Sequence, residues 1–153
     1  MVGRKVDYSP GRNYTGATTD LYIYPGSDHI GEVQAWNVDT GKRVWTHNFA
    51  KSANWGPTMT TGGGLVFSGG TNDRRFRAYD AKSGEVLWEF PTNSGIIASP
   101  STFMVDGTQY VAVVSGFGID SRSMQARFNR LVPGEYPEVP EGGVVWVFAV
   151  SKN

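Results

Sequence analysis

The sequence predicts an all-β chain assembled from repeated units of four short strands. Three observations carry that expectation. The segment Ala35-Trp36-Asn37-Val38-Asp39-Thr40-Gly41-Lys42-Arg43-Val44-Trp45 returns as Ala78-Tyr79-Asp80-Ala81-Lys82-Ser83-Gly84-Glu85-Val86-Leu87-Trp88, so Ala, Gly and Trp each recur after 43 residues. Twenty glycines, eight prolines and 20 aromatic residues in 153 suit many short strands and turns. No apolar helical period is sustained over four turns. A self-similar unit of about 40–45 residues with four strands is the blade of a β-propeller.

The elements follow from the second unit, which runs from Trp55 to about Ile97. Leu65-Val66-Phe67-Ser68-Gly69 is a short apolar strand, and Phe76-Arg77-Ala78-Tyr79 alternates as the next should. Turn residues Gly70-Thr71-Asn72-Asp73 make the two a hairpin. After Asp80 the pair Ser83-Gly84 turns the chain, and Val86-Leu87-Trp88-Glu89-Phe90 is rich in residues that suit a half-buried pleated surface. Residues Ile96-Ile97-Ala98 are expected to open the next unit as a strand, and Pro57 and Pro100 mark equivalent places 43 residues apart.

A third copy is stretched. Gly143-Val144-Val145-Trp146-Val147-Phe148-Ala149-Val150 aligns with the segment from Gly31, which places Val147 where Ala35 and Ala78 stand; 69 residues separate Ala78 from Val147, 26 more than the period. The excess falls between the strand Tyr110-Val111-Ala112-Val113-Val114-Ser115 and the Gly143 strand, over residues 117–142. Met124, Phe128 and Leu131, spaced by four and three, predict one short amphipathic helix there, followed by a Pro-rich stretch to Pro140. Another insertion is expected over 18–30, because Tyr14-Thr15-Gly16-Ala17 reads as the strand preceding Gly31. The repeat units are then approximately 12–54, 55–97 and 98–153 of one partial propeller domain, 1–153. They supply roughly three and a half blades where closed propellers have about 4–8. The arc is therefore incomplete, and its end faces invite association.

Composition narrows the function. With 14 basic and 14 acidic side chains the formal net charge is zero, so no electrostatic footprint for nucleic acid or an anionic membrane stands out. There is no cysteine, hence no thiolate nucleophile or cysteine metal site. Residues 1–7 lack the apolar core of a signal peptide, and no stretch approaches the ~20 apolar residues of a membrane span. His29 and His47 have no metal-ligand spacing.

The repeated Ala, Gly and Trp read as packing. A Trp at a fixed place in each blade covers the neighbouring sheet, a small residue gives it room, and the Asp/Asn-x-x-Thr/Ser-Gly segment is turn chemistry. Trp45 and Trp88 are both expected to be buried. Trp55 differs, because it aligns with Ala98 and the repeat requires no large aromatic there. It is expected at the start of a blade's innermost strand, either as filler of the central channel or as a ring edge offered to a ligand.

The succession Gly31-Glu32-Val33-Gln34-Ala35-Trp36, Asn54-Trp55-Gly56-Pro57-Thr58-Met59, Gly63-Gly64-Leu65-Val66-Phe67, Arg77-Ala78-Tyr79-Asp80, Gly84-Glu85-Val86-Leu87-Trp88 and Asp106-Gly107-Thr108-Gln109-Tyr110-Val111-Ala112-Val113 resembles the C-terminal blades of the pyrroloquinoline-quinone (PQQ)-dependent alcohol dehydrogenases of the methanol/ethanol dehydrogenase family. The resemblance implies three to four four-stranded blades of an eight-bladed quinoprotein propeller with its tryptophan docking motif. It also implies oxidation of a small alcohol to the aldehyde, with PQQ as hydride acceptor and a calcium or lanthanide ion beside it. The implied partners are the remaining blades and a cytochrome c-type electron acceptor, and the implied compartment is the periplasm. Trp55 matches a Trp that contacts the cofactor. Ser115-Gly116-Phe117-Gly118-Ile119-Asp120 matches the loop that closes over the cofactor edge, which makes Phe117 and Gly118 cofactor-binding candidates, although the loop departs from the family's common Gly-Trp-Gly form.

The resemblance implies that the family's catalytic Asp, its Glu and Asn metal ligands, its cofactor-clamping Arg, the Trp beneath the quinone and the vicinal disulfide above it belong to blades upstream, so no catalytic residue and no metal ligand is assigned here. Asp80, Asp106 and Asp120 read as turn or solvated carboxylates. Glu135, Glu138 and Glu141 read as a solvated loop, or as the border of a substrate entrance or acceptor surface. The chain by itself is expected to be inactive. A non-enzymatic PQQ-repeat-like propeller, serving as a scaffold or interaction module, is the alternative.

Overall fold

The computed structural model describes residues 2–11, 14–116, 119–134, 136 and 142–149, with side chains other than those of 2–4, 18, 19 and 119–124. The chain begins with a two-stranded antiparallel sheet of β1 (Val2–Lys5) and β2 (Ala17–Asp20). A second pair joins β3 (Gly31–Asn37) to β4 (Lys42–Phe49), with Ala35 opposite Trp45. Then β5 (Thr58–Thr60), β6 (Leu65–Ser68), β7 (Arg75–Asp80) and β8 (Val86–Pro91) form a four-stranded sheet in sequential order. The last sheet sets β10 (Thr108–Gly116) between β9 (Ser101–Val105) and β11 (Gly143–Ala149), and helix α1 (Ile119–Leu131) lies between β10 and β11. The β-propeller expectation holds in this antiparallel architecture. Four strands are complete in the sheet of residues 58–91, and the flanking sheets have two and three among the described residues.

The repeat acts where consecutive sheets face each other. Val33, Trp45 and Phe49 form an apolar cluster on the β3–β4 sheet with Ala35 beside them. The Trp45 indole stacks on Tyr79 of the next sheet, centroids 6.3 Å apart and planes inclined by 19°, and its Nε1 donates to the Ala81 carbonyl at 3.0 Å. Gly84 closes this contact. Its φ of +75° suits glycine, and a Cβ there would lie 2.5 Å from Trp45 Cδ2. One blade further on, Phe67, Phe76, Ala78, Ile96, Val111 and Val113 make a second core, with Trp146 and Phe148 packed on it.

Trp88 departs from the expected burial. It meets Phe148 edge-on at 4.9 Å, the place that Tyr79 has against Trp45, but is 38% exposed where Trp45 is 9%. The physical difference is the cover. Trp45 is capped by the 80–84 turn through the Ala81 carbonyl and Gly84, whereas the described contacts of Trp88 are with the rings of Phe76, Phe90 and Phe148.

Two expected strands are corrected. Residues 14–17 do not lead into Gly31: Gly16 has a φ of +77°, incompatible with an extended run, and the strand from Ala17 pairs with β1 in a separate sheet. Residues 96–98 are a loop. Ile96 is fully buried with its side chain against Gly69, and Pro100 offers no N–H to a ladder, so the strand starts at Ser101. Trp55 is likewise not on a strand but three residues before β5.

Candidate functional site

Antiparallel order places the loops of residues 50–57, 69–74 and 92–100 at one end of the four-stranded sheet, and the 61–64 and 80–84 turns at the other. Gly116 N–H donates to the Gly95 carbonyl at 2.8 Å, which brings the end of β10 to the same loop cluster. The tight turns use their polar side chains on themselves. Asn37 Oδ1 accepts from Asp39 N, Thr40 N and Thr40 Oγ1, and Asp80 Oδ1 accepts in the same way from Lys82 N, Ser83 N and Ser83 Oγ. The Ser83 hydrogen bonds hold the Asp80 carboxyl below its ordinary value, which is turn chemistry as expected.

Trp55 stands in the loop cluster. Its N–H donates to the Gly70 carbonyl at 3.2 Å, and Asn54 makes an isolated bridge to Thr71. The 56 and 69–70 backbones nearly touch: a Cβ on Gly56 would lie 2.1 Å from the Gly69 carbonyl oxygen, so only glycine fits. The Trp55 backbone is therefore pinned. Its half-buried indole stacks on Phe128 of α1, centroids 5.4 Å apart and planes inclined by 18°. The adjoining Asn54 Oδ1 is buried with no hydrogen-bond partner. Below it Ser52 Oγ donates to Asn72 Oδ1 at 2.9 Å and accepts from Asn72 N at 2.7 Å.

A second polar chain ends beside the loop expected to close on a cofactor. Trp146 Nε1 donates to Ser115 Oγ at 2.9 Å, and Ser115 Oγ donates to Asn93 Oδ1. Arg74, at a left-handed φ of 58°, donates from Nη1 to the Asn93 carbonyl at 3.3 Å and accepts from Thr92 N at 2.8 Å. Phe117 and Gly118 themselves lie outside the described residues, as do the side chain of Asp120 and residues Glu135, Glu138 and Glu141.

The one buried charge among the described residues at this end, Arg77, is neutralised by partly exposed carboxylates. Arg77, buried between sheets, pairs with Asp73 Oδ2, reaches Glu89 Oε2 at 3.3 Å and Thr71 Oγ1 at 2.9 Å, and lies over the Phe49 ring at 5.4 Å. Burial raises the Asp73 carboxyl, but hydrogen bonds from Arg77 and Thr71 outweigh it and leave it below the ordinary value. Tyr79 is pushed up to about 12 by burial, so its phenol is neutral. His47, between Phe49 and Tyr79, is lowered by burial and then by the Arg77 charge. These are seam contacts with every carboxylate engaged. Among the described residues no three His, Asp or Glu side chains come together as a metal-binding group, and no helix is long and apolar enough to cross a membrane.

Sequence reasoning singled out Trp55 and Phe128 separately and missed that they meet. It also missed Trp146, which aligns with Gln34 and Arg77; that break in the repeat is the same kind of signal as Trp55 opposite Ala98.

Stacked antiparallel sheets seamed by Trp45 and its relatives define the class as a β-propeller. Residues 50–111, which contain Trp55, match the family described as the glucose/ethanol/alcohol dehydrogenase β-propeller domain, PQQ. The quinoprotein alcohol dehydrogenase PedH of Pseudomonas putida is 38% identical over 150 residues, 97% of this chain and 24% of that protein. Methanol dehydrogenase [cytochrome c] subunit 1 of Methylorubrum extorquens is 40% identical over 116 residues, 72% of this chain and 18% of that protein. The solved structure of a europium-containing methanol dehydrogenase superposes with a TM-score of 0.77 at 32% identity, covering 97% of this chain and 28% of that one. The chain corresponds to a part of the PQQ β-propeller of the quinoprotein alcohol and methanol dehydrogenases. It spans about a quarter of the length of such relatives.

Proposed function

We propose that this chain furnishes part of the cofactor channel of a periplasmic quinoprotein dehydrogenase that oxidises small alcohols to aldehydes. When bound, PQQ supplies the electrophilic carbonyl that accepts the hydride. The single observation that carries the reading is Trp55, a half-buried aromatic ring that the repeat does not require, held at the loop end of the sheets inside the segment that matches the dehydrogenase propeller family.

The residues present fit a flat, hydrogen-bonding cofactor. Trp55, backed on one face by Phe128, offers its ring edge, and Asn54 Oδ1 is a buried acceptor that an N–H or a water could satisfy. Phe117 and Gly118 are given cofactor contacts on the resemblance alone. The described residues do not fit a calcium or lanthanide site, because no three His, Asp or Glu side chains among them come together as a metal-binding group and the carboxylates of Asp73 and Glu89 are paired with Arg77. On the resemblance, the metal, the general base, the alcohol pocket and the docking site for a cytochrome c-type acceptor are assigned to the remaining blades of the whole enzyme. This chain binds and orients the cofactor and excludes water from one side of it.

The test is a titration of PQQ against the purified chain, read by tryptophan quenching and by dialysis, with Trp55→Ala in parallel. Affinity is expected to fall at least about tenfold in the variant, as for a central Trp contact. Binding unaffected by Trp55→Ala, or none, points instead to the scaffold alternative.

A further inference from the structure

The insertion between β10 and β11 reaches back to the site. Among the described side chains of α1 the buried ones are Gln125 and Phe128, one turn apart on one face, while Arg130 is exposed. Phe128 is 5% exposed, and the last turn is closed by Val132 N–H donating to its carbonyl at 2.9 Å. Its ring lies nearly parallel to Trp55 at 5.4 Å. Helix placement and indole orientation are thus one packing event.

An indole joined to a pinned backbone still has a broad torsion about its second side-chain bond. The hydrogen bond from Trp55 N to Gly70 O and the glycine contact at 56 fix where the ring starts but not its plane. Phe128 removes that freedom by covering one face. Only the opposite face and the edge remain for a planar ligand, and a ring ordered before binding loses less entropy when the ligand arrives.

We propose that Phe128 is the positioning residue of Trp55: through it, the α1 insertion sets the plane of the indole and so the direction in which its free edge meets the quinone. The proposal rests on the reading of Trp55 as a cofactor contact. It makes the insertion a determinant of cofactor affinity without any residue of α1 touching the cofactor.

The experiment uses the full 153-residue chain with Phe128→Ala, Phe128→Leu and Phe128→Tyr, each alone and combined with Trp55→Ala. Leu keeps apolar volume in case Ala unfolds the helix, and Tyr restores the aromatic face. Without quinone, Phe128→Leu is expected to raise acrylamide quenching of the Trp55 component, obtained by subtracting the same pair of chains in the Trp55→Ala background. With PQQ, Phe128→Leu and Phe128→Ala are expected to weaken binding by about two- to tenfold, Phe128→Tyr to recover it, and no further loss to follow once Trp55 is Ala. If Trp55→Ala weakens binding and Phe128→Leu does not, or if the Phe128 effect persists in the Trp55→Ala background, the positioning role is overturned. If Trp55→Ala itself leaves PQQ binding unchanged, or the chain binds none, the cofactor reading falls and this proposal with it.

Discussion

Trp45 and Trp88 occupy the same place in the repeat yet carry different loads. Trp45 is enclosed by Tyr79, the Ala81 carbonyl and Gly84, so Trp45→Ala should cost roughly 3–5 kcal/mol, as for a buried Trp. Trp88→Ala should cost less, about 1–3 kcal/mol, because much of its ring keeps contact with water in both folded and unfolded chains. Gly84→Ala combines a left-handed φ with a Cβ driven into the indole and should lose roughly 1–3 kcal/mol while exposing Trp45. Urea midpoints of the three variants, with the fluorescence maximum of Gly84→Ala, check the order. Equal losses for the two tryptophans would show that the cover on Trp45 contributes nothing.

At the scale of elements, the seam between β4 and β7 couples stability to pH through His47. Burial, then the Arg77 charge, holds its imidazolium form below the ordinary value of 6.5, with Glu89 opposing. The unfolded chain therefore takes up a proton that the folded seam refuses. The stabilisation is present above about pH 6.5 and is lost as pH falls through the depressed folded value. Between about pH 8 and about pH 5.5 the melting temperature should fall more for the wild-type chain than for His47→Gln. Parallel slopes would remove the effect. Much of this element order was legible beforehand, since the strands around Leu65, Ala78 and Trp88 and the helix around Phe128 follow from period and turn chemistry. What was hidden depends on contacts between distant segments. Gly16 and Ile96 break expected strands through a dihedral angle and a plug against Gly69, and neither shows in local propensity. For the site, Trp55 was visible as a departure from the repeat, but its partner lies 73 positions along the chain, and no periodicity links the two.

For the whole molecule, the repeat states what each sheet face should meet. The face of the four-stranded sheet that carries Ala78 is covered by the next sheet, and Ala78 is buried. The equivalent face of the β9–β10–β11 sheet carries Phe103, Val114, Val145 and Val147, all exposed, with Val145 at 63%. At the opposite end Trp36, which aligns with the buried Tyr79, is exposed as well. Exposed apolar side chains on one face of three paired strands favour association. The chain is therefore expected to run above monomer mass in light scattering at micromolar concentration, and the double variant Val145→Lys, Val147→Lys should return it to monomer. The substituted side chains point away from the core shared with β7 and β8, since Val145 and Val147 pair with Val114 and Ala112 rather than with Val111 or Val113. The melting temperature, extrapolated to low concentration where association is absent, should then change little. A wild-type chain that stays monomeric across the range would show that this exposed face does not drive association.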